Sequence, residues 1–206
     1  MNIIAFLSLG CALLSMLSLL VLHFTSPEIH PGWRMVSEYA LGKQKWLITM
    51  FFLLWGLSSF FLSLLLFRNV DSVWMMAGII LLIFSAAGEI MGGVFDVKHK
   101  LHGMAFGLGV PTLPVAALII SYQLYPSTGG VVLIWAAHLT WISLIVMAVA
   151  MGISAMAFKK AGIAFDGPME LDAQLPQGVA PIGGWANRFL VMCYIYWLII
   201  CSLVFL

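Results

Sequence analysis

The sequence predicts an all-α fold, a polytopic membrane bundle of six transmembrane helices, and three observations carry that prediction. Only 8% of the 206 residues are charged, against roughly 25% in soluble domains, while 63% are hydrophobic and the mean hydropathy is +1.10. The apolar residues fall into six runs of membrane-crossing length separated by polar connectors. A span takes about 20 apolar residues to cross roughly 30 Å of hydrocarbon, so a chain of this length holds at most about seven. A single transmembrane domain over residues 1–206 is the expected organisation.

The first run, residues 3–24, stops at Thr25-Ser26-Pro27, where Pro27 disfavours a helical residue before it. It has no positive n-region and no small-x-small cleavage site, so it reads as a span rather than a secretory signal. The connector SPEIHPGWRMVSEYALGKQK follows, with His30, Arg34, Ser37, Glu38, Lys43 and Lys45, and its MVSEYAL portion predicts a short interfacial helix. The second run, 46–67, is flanked by Trp46 and Arg68 as interfacial anchors, and the short RNVD turn makes it an antiparallel neighbour of the third.

The third run, 73–95, is apolar until Glu89 and contains Gly88, Gly92 and Gly93, small residues that let a partner helix approach closely. The fourth, 103–122, carries Gly107, Gly109, Pro111 and Pro114. Such a membrane helix is expected to kink, to border a cavity, and to have its freed carbonyls met by neighbours or water. After the QLYPSTGG turn the fifth run, 131–158, contains His138 and meets Lys159 and Lys160. The last connector is rich in Gly and Pro and includes Asp166, Glu170 and Asp172. The sixth run, 185–206, opens with Asn187 and Arg188.

Six spans place both termini on one side. The odd-numbered connectors and the start of the last helix hold Arg34, Lys43, Lys45, Lys98, Lys100, Lys159, Lys160 and Arg188, whereas the other side holds only Arg68. The positive-inside rule therefore predicts cytoplasmic connectors and both termini on the non-cytoplasmic side. The formal charge of +1 leaves no basic face for nucleic acid. Cys11, Cys193 and Cys201 lie in apolar runs without a CxxC pair and read as buried, inert thiols. Most of the thirteen Met and eight Trp read as gap-fillers and interface anchors.

Ionisable residues concentrate in GEIMGGVFDVKHKLHG, residues 88–103. Glu89 lies about 9 Å inside its helix end, and an ionised carboxylate in hydrocarbon costs at least about 2.5 kcal/mol. Arg188, about one turn inside the last helix, is the partner expected at that depth, either as a structural ion pair or as a pair binding substrate beside His30; an Arg188 contacting lipid phosphate is the third reading. Asp96, His99 and His102 are spaced three apart, so on a helical turn they would share zinc or another divalent metal, with Glu38, His30 or Ser37 completing the shell. The neighbouring glycines favour instead a loop with solvated histidines. Ser37 is either a helix cap or a hydroxyl aimed into the polar cluster. His23 and His138 fall near opposite surfaces and cannot face one another across a haem.

HPGWRMVSEYALG, FDVKHKLHG and GGWANR together resemble the membrane-protein family catalogued as domain of unknown function 998, over essentially the whole chain. The resemblance implies a prokaryotic-type six-helix inner-membrane protein, with Ser37, Glu38, Asp96, His102 and Arg188 at the family's polar motif positions. A more distant similarity is to alkaline-ceramidase-like membrane hydrolases, for which Ser37, Asp96 and His102 are available. It departs at the last helix, which reads RFLVMCYIYWLI where those proteins carry HxxxH.

The expected function is a polar pocket opening to the cytoplasmic leaflet that binds a lipid or other amphiphile and hydrolyses or modifies it, with Glu38, Asp96 or His102 as acid/base groups and Ser37 beside them. The last connector suits a lid. The alternatives are a small-solute or proton-coupled transporter using Glu89, or a membrane-complex subunit without chemistry.

Overall fold

In the computed structural model, which describes residues 2–128, 130–163, 170–171 and 173–206, the six apolar runs form six helices. They are α1 (Ile3–Thr25), α2 (Lys45–Phe67), α3 (Val73–Val94), α4 (His102–Thr128), α5 (Val131–Lys160) and α6 (Gly183–Leu203). Each is long and apolar enough to cross a bilayer. Asp166 and Asp172 lie outside the described residues.

Local chemistry sets several helix ends. Asn2 Oδ1 accepts from the Ile4 amide at the start of α1, and Ser72 Oγ accepts from the Met75 amide at the start of α3. α4 runs six residues past the end expected from hydropathy, through Gln123, Leu124 and Tyr125, whose helical backbone continues although the apolar run has stopped. The helix is also unbroken across Pro111 and Pro114. Pro114 has no amide to offer Val110 O, and the Tyr194 hydroxyl of α6 donates to that carbonyl at 2.7 Å. A neighbouring helix thus satisfies what the proline leaves open.

Each helix packs on the next, and α6 closes the ring on α1. α6 is the most enclosed, two thirds buried against 28% for α1 and α5, because it also touches α2 and α4. That enclosure matches its polar side chains: Trp197 Nε1 donates to Ser121 Oγ at 2.9 Å. The closest approach is between α3 and α4. A Cβ on Gly88 would fall 2.3 Å from Gly109 N, so only glycine permits this contact.

The three odd connectors meet on one face of the bundle. Gly184 N donates to Gly32 O at 2.9 Å, and Lys45 Nζ lies 2.5 Å from Asp96 Oδ2. The MVSEYAL segment forms a 3-10 helix, Val36–Leu41, but it is not an amphipathic helix resting on the surface. Val36, Glu38 and Tyr39 are buried against α2 and α6, so the segment folds into the end of the bundle.

Candidate functional site

Beneath that 3-10 helix lies a half-open cavity of about 80 Å³ lined by four helices and the connector. The connector contributes Met35, Val36 and Ser37, α2 contributes Phe52 and Trp55, and α3 contributes Gly88, Glu89 and Gly92. His102, Ala105, Phe106, Gly109 and Val110 come from α4, and Asn187, Leu190 and Val191 from α6. The wall is mostly apolar, with Ser37, Trp55, Glu89, His102 and Asn187 as its polar members. The volume holds several waters or a few heavy atoms and falls well short of the roughly 300 Å³ of drug-sized pockets.

Glu89 is buried, and two hydroxyls meet its carboxyl: Ser59 Oγ at 2.6 Å from Oε2 and Ser85 Oγ at 2.8 Å from Oε1. Ser85 Oγ is also 3.1 Å from Gly109 O. The expected Glu89–Arg188 ion pair does not form. Among the described residues the ion pairs are Arg34–Glu38 and Lys45–Asp96.

The physical reason is that Arg188 has nearer acceptors. Its Nε donates to His23 Nε2 at 2.8 Å, Nη1 to the carbonyls of Arg34, Pro31 and Gly184 at 2.6, 3.0 and 3.1 Å, and Nη2 to Tyr39 Oη at 3.2 Å. These bonds clamp α1, the first connector and α6 together. They leave the guanidinium facing neither the cavity nor lipid phosphate.

His102 begins α4, and its Nδ1 lies 2.9 Å from Phe95 O. A carbonyl can only accept, so Nδ1 carries the proton, and in the neutral ring Nε2 is then the acceptor. The Ser37 side chain, also on the cavity wall, makes no hydrogen bond among the described residues and does not cap the 3-10 helix. Glu38 does that work, its Oε2 accepting from Met35 N at 2.7 Å while Oε1 takes Arg34 Nη1 at 2.8 Å. Glu38 therefore faces Arg34 and is not part of the cavity wall. His30 is exposed outside it, with Nδ1 accepting from Gly32 N at 3.2 Å.

Asp96, His99 and His102 do not converge. Successive turns, with His99 N bonding Asp96 O and His102 N bonding His99 O, turn the three side chains to different partners. Asp96 reaches Lys45, whose ammonium hydrogen bond holds its carboxyl below the ordinary value of 3.8. His99 stacks on Phe95 at 4.6 Å and accepts from Leu101 N. Among the described residues, no three His, Cys, Asp or Glu side chains are grouped to hold a metal. From the last connector, the carbonyls of Glu170 and Leu171 accept from Arg34 Nη2.

Two cavity residues escaped sequence reasoning. Asn187 Oδ1 accepts from Val36 N at 2.8 Å, which suspends the 3-10 helix over the cavity. Trp55 is 4% exposed, and its Nε1–H has no partner within the chain among the described residues. The available signal was its position: ten residues inside α2, it is too deep to serve as an interfacial anchor.

The profile of the family described as Protein of unknown function (DUF998) matches residues 9–204. The chain belongs to the DUF998 family. No curated protein and no solved structure matches it. In this DUF998 protein the sequence stretches that carry the resemblance also meet in space. HPGWRMVSEYALG and GGWANR interlock through Gly32 with Gly184, Pro31 and Arg34 with Arg188, and Val36 with Asn187. FDVKHKLHG joins them by placing His102 on the cavity wall.

Proposed function

We propose that this DUF998 protein binds a membrane amphiphile, with the polar end of the ligand in the cavity beneath the 3-10 helix. The observation that carries the reading is the convergence of Ser37, Glu89 and His102 from three separate elements on one mostly apolar chamber. An apolar chamber with a few placed polar groups is the usual form of a small-ligand site. A half-exposed Phe106 on its wall gives an acyl chain an apolar surface to follow. The chemistry this set supports is hydrolysis or group transfer on the ligand's head. On an ester head, His102 Nε2 takes the proton of a water or ligand hydroxyl as its oxygen bonds to the carbonyl carbon, and returns that proton to the alkoxide released when the ester C–O bond breaks. In this reading the connector face is cytoplasmic, as its basic residues suggest, and the membrane is a prokaryotic inner membrane, as the family resemblance implies.

The test is mass spectrometry of the full chain purified from native membranes, wild type against Ser37→Phe. The Ser37 hydroxyl has no hydrogen bond among the described residues, so the variant fills the cavity without removing one, and a circular-dichroism melt checks that it folds. A retained amphiphile is expected at near one per chain in the wild type and at least fivefold less in the variant. Equal retention in both would overturn the proposal.

A second reading, proton-linked transport, is favoured by Ser85. Its single hydroxyl hydrogen serves Glu89 Oε1 or Gly109 O, one at a time. Donating to Glu89 suits a carboxylate, whereas donating to Gly109 O leaves Ser85 Oγ to accept from a protonated carboxyl. One bond rotation therefore accommodates both states. Proteoliposomes loaded with a pH-sensitive dye should show proton flux that Glu89→Gln abolishes, and equal flux in both removes Glu89 from the mechanism.

A further inference from the structure

Resting on the amphiphile reading, the balance of donors, acceptors and charge on the cavity wall defines the head it takes. Its polar side chains are Ser37, Glu89, His102 and Asn187, the Trp55 indole N–H being buried away from the open space. Asn187 is already engaged, its Oδ1 with Val36 N and its Nδ2 with Met147 Sδ at 3.5 Å. His102 Nδ1–H is held by Phe95 O, so the neutral ring offers Nε2 as an acceptor. The Ser37 hydroxyl makes no hydrogen bond among the described residues and is a second acceptor. The wall is thus rich in acceptors and poor in donors.

Glu89 decides the sign of the charge. It is buried, its carboxyl takes two serine hydroxyls, and among the described residues it has no ion pair. Each hydroxyl supplies a dipole and neither a positive charge. Among the described residues no lysine or arginine lines the cavity, and Arg188 is turned to His23, Tyr39 and three carbonyls. An ionised carboxylate at this depth is costly without a cation beside it, so what neutralises Glu89 is a proton or a positively charged ligand. A phosphate or sulfate head would meet no cation and would lie near that carboxyl. A hydroxyl head would serve Ser37 and His102 and leave the charge of Glu89 unmet. A primary ammonium brings three N–H donors to a wall of acceptors and supplies the missing positive charge.

We infer that the head of the ligand carries a primary ammonium, as a long-chain amine or the ester of an amino alcohol does, with Glu89 as its counter-ion. The size agrees: about 80 Å³ holds a few heavy atoms, enough for the ammonium and its first methylenes, which meet the aromatic carbon of Phe52 and Phe106. The rest of the chain leaves past half-exposed Phe106 toward the lipid.

The experiment uses the full chain in phosphatidylcholine nanodiscs, with oleylamine, oleyl alcohol and oleyl phosphate as radiolabelled probes of one chain length. Wild type, Glu89→Gln and Ser37→Phe are compared after subtraction of uptake by empty nanodiscs. Oleylamine is expected to bind saturably and tightest of the three, to be excluded by Ser37→Phe, and to lose at least tenfold in affinity in Glu89→Gln. Oleyl alcohol should change less than twofold in Glu89→Gln, since the amide keeps the shape and removes the charge. Tighter, Ser37→Phe-sensitive binding of the alcohol or the phosphate overturns the head assignment and leaves the cavity reading standing. Amine binding that Glu89→Gln does not weaken overturns it too, as does an equal loss for amine and alcohol, which reports damage to the cavity rather than a missing charge. If Glu89→Gln does not fold, the order of the three probes on wild type decides. If Ser37→Phe blocks none of the three, the head assignment and the amphiphile reading both fall.

Discussion

Arg188 on α6 and His23 on α1 are joined by a 2.8 Å hydrogen bond, Nε–H to Nε2, which fixes which histidine nitrogen accepts. His23 Nδ1, 2.7 Å from Leu19 O, then carries the proton. A residue pair 165 positions apart thus closes the helical ring at its connector end, on the same guanidinium that holds Pro31 O, Arg34 O and Tyr39.

Replacing Arg188 with methionine should therefore unfold the connector face before the rest of the bundle. It strands several buried acceptors, and a loss of about 3 kcal/mol is expected. Equilibrium unfolding in mixed detergent micelles measures it, and Arg188→Lys should recover only part, since an ammonium cannot span the same acceptors.

Gly88→Ala should be among the most damaging single-methyl additions in the chain. The added carbon meets the backbone of Gly109 and Ala105, which cannot swing aside. Separation of α3 from α4 at a cost of about 2–3 kcal/mol is expected, together with loss of the cavity wall at Gly109. Gly10→Ala, where nothing lies within 4 Å, is the control and should be neutral or gain up to about 1 kcal/mol from helix propensity.

Asn187→Leu removes the acceptor for Val36 N at the cavity roof. A stability loss of about 1–2 kcal/mol is expected, and amide exchange at Val36 should rise well above that of the α6 interior. Unchanged exchange at Val36 would show that the 3-10 helix holds its place without Asn187.

The Lys45–Asp96 pair supplies a pH dependence with a definite sign. The folded-state value of Asp96 is depressed below 3.8, so its contribution is present above that pH and disappears as pH falls through the folded value. Both side chains are substantially exposed, so the effect is small and screened by salt. Thermal unfolding of wild type and Asp96→Asn should differ slightly at pH 6 and converge as the pH falls below 3.8 through the folded value. Divergence toward low pH would contradict the assigned sign.

Six helices, their order and the gathering of polar residues at one end were all legible in the sequence, because bilayer length and the cost of exposed backbone leave few other arrangements. The same logic placed Glu89 inside the bundle and identified Ser37 and His102 as belonging to one polar face. It paired Glu89 with Arg188 incorrectly, because like depth in two helices says nothing of rotation about their axes. Hydroxyls on α2 and on the preceding turn of α3 itself reach the carboxyl first, and backbone carbonyls of a folded-back connector reach the guanidinium first.

The hydropathy pattern by itself determined that this chain is a six-helix membrane protein, since transfer of each apolar run into hydrocarbon depends on its composition alone. Only the tertiary structure decided which polar groups share a chamber. Trp55 reads as one more aromatic residue until the bundle buries it against Tyr194 of α6, and Glu38 reads as an acid/base group until Arg34 and the Met35 amide bind both its oxygens. Hydrogen bonds are short and directional, so the partner of a buried polar group is fixed by helix rotation and connector path, which residue spacing does not encode.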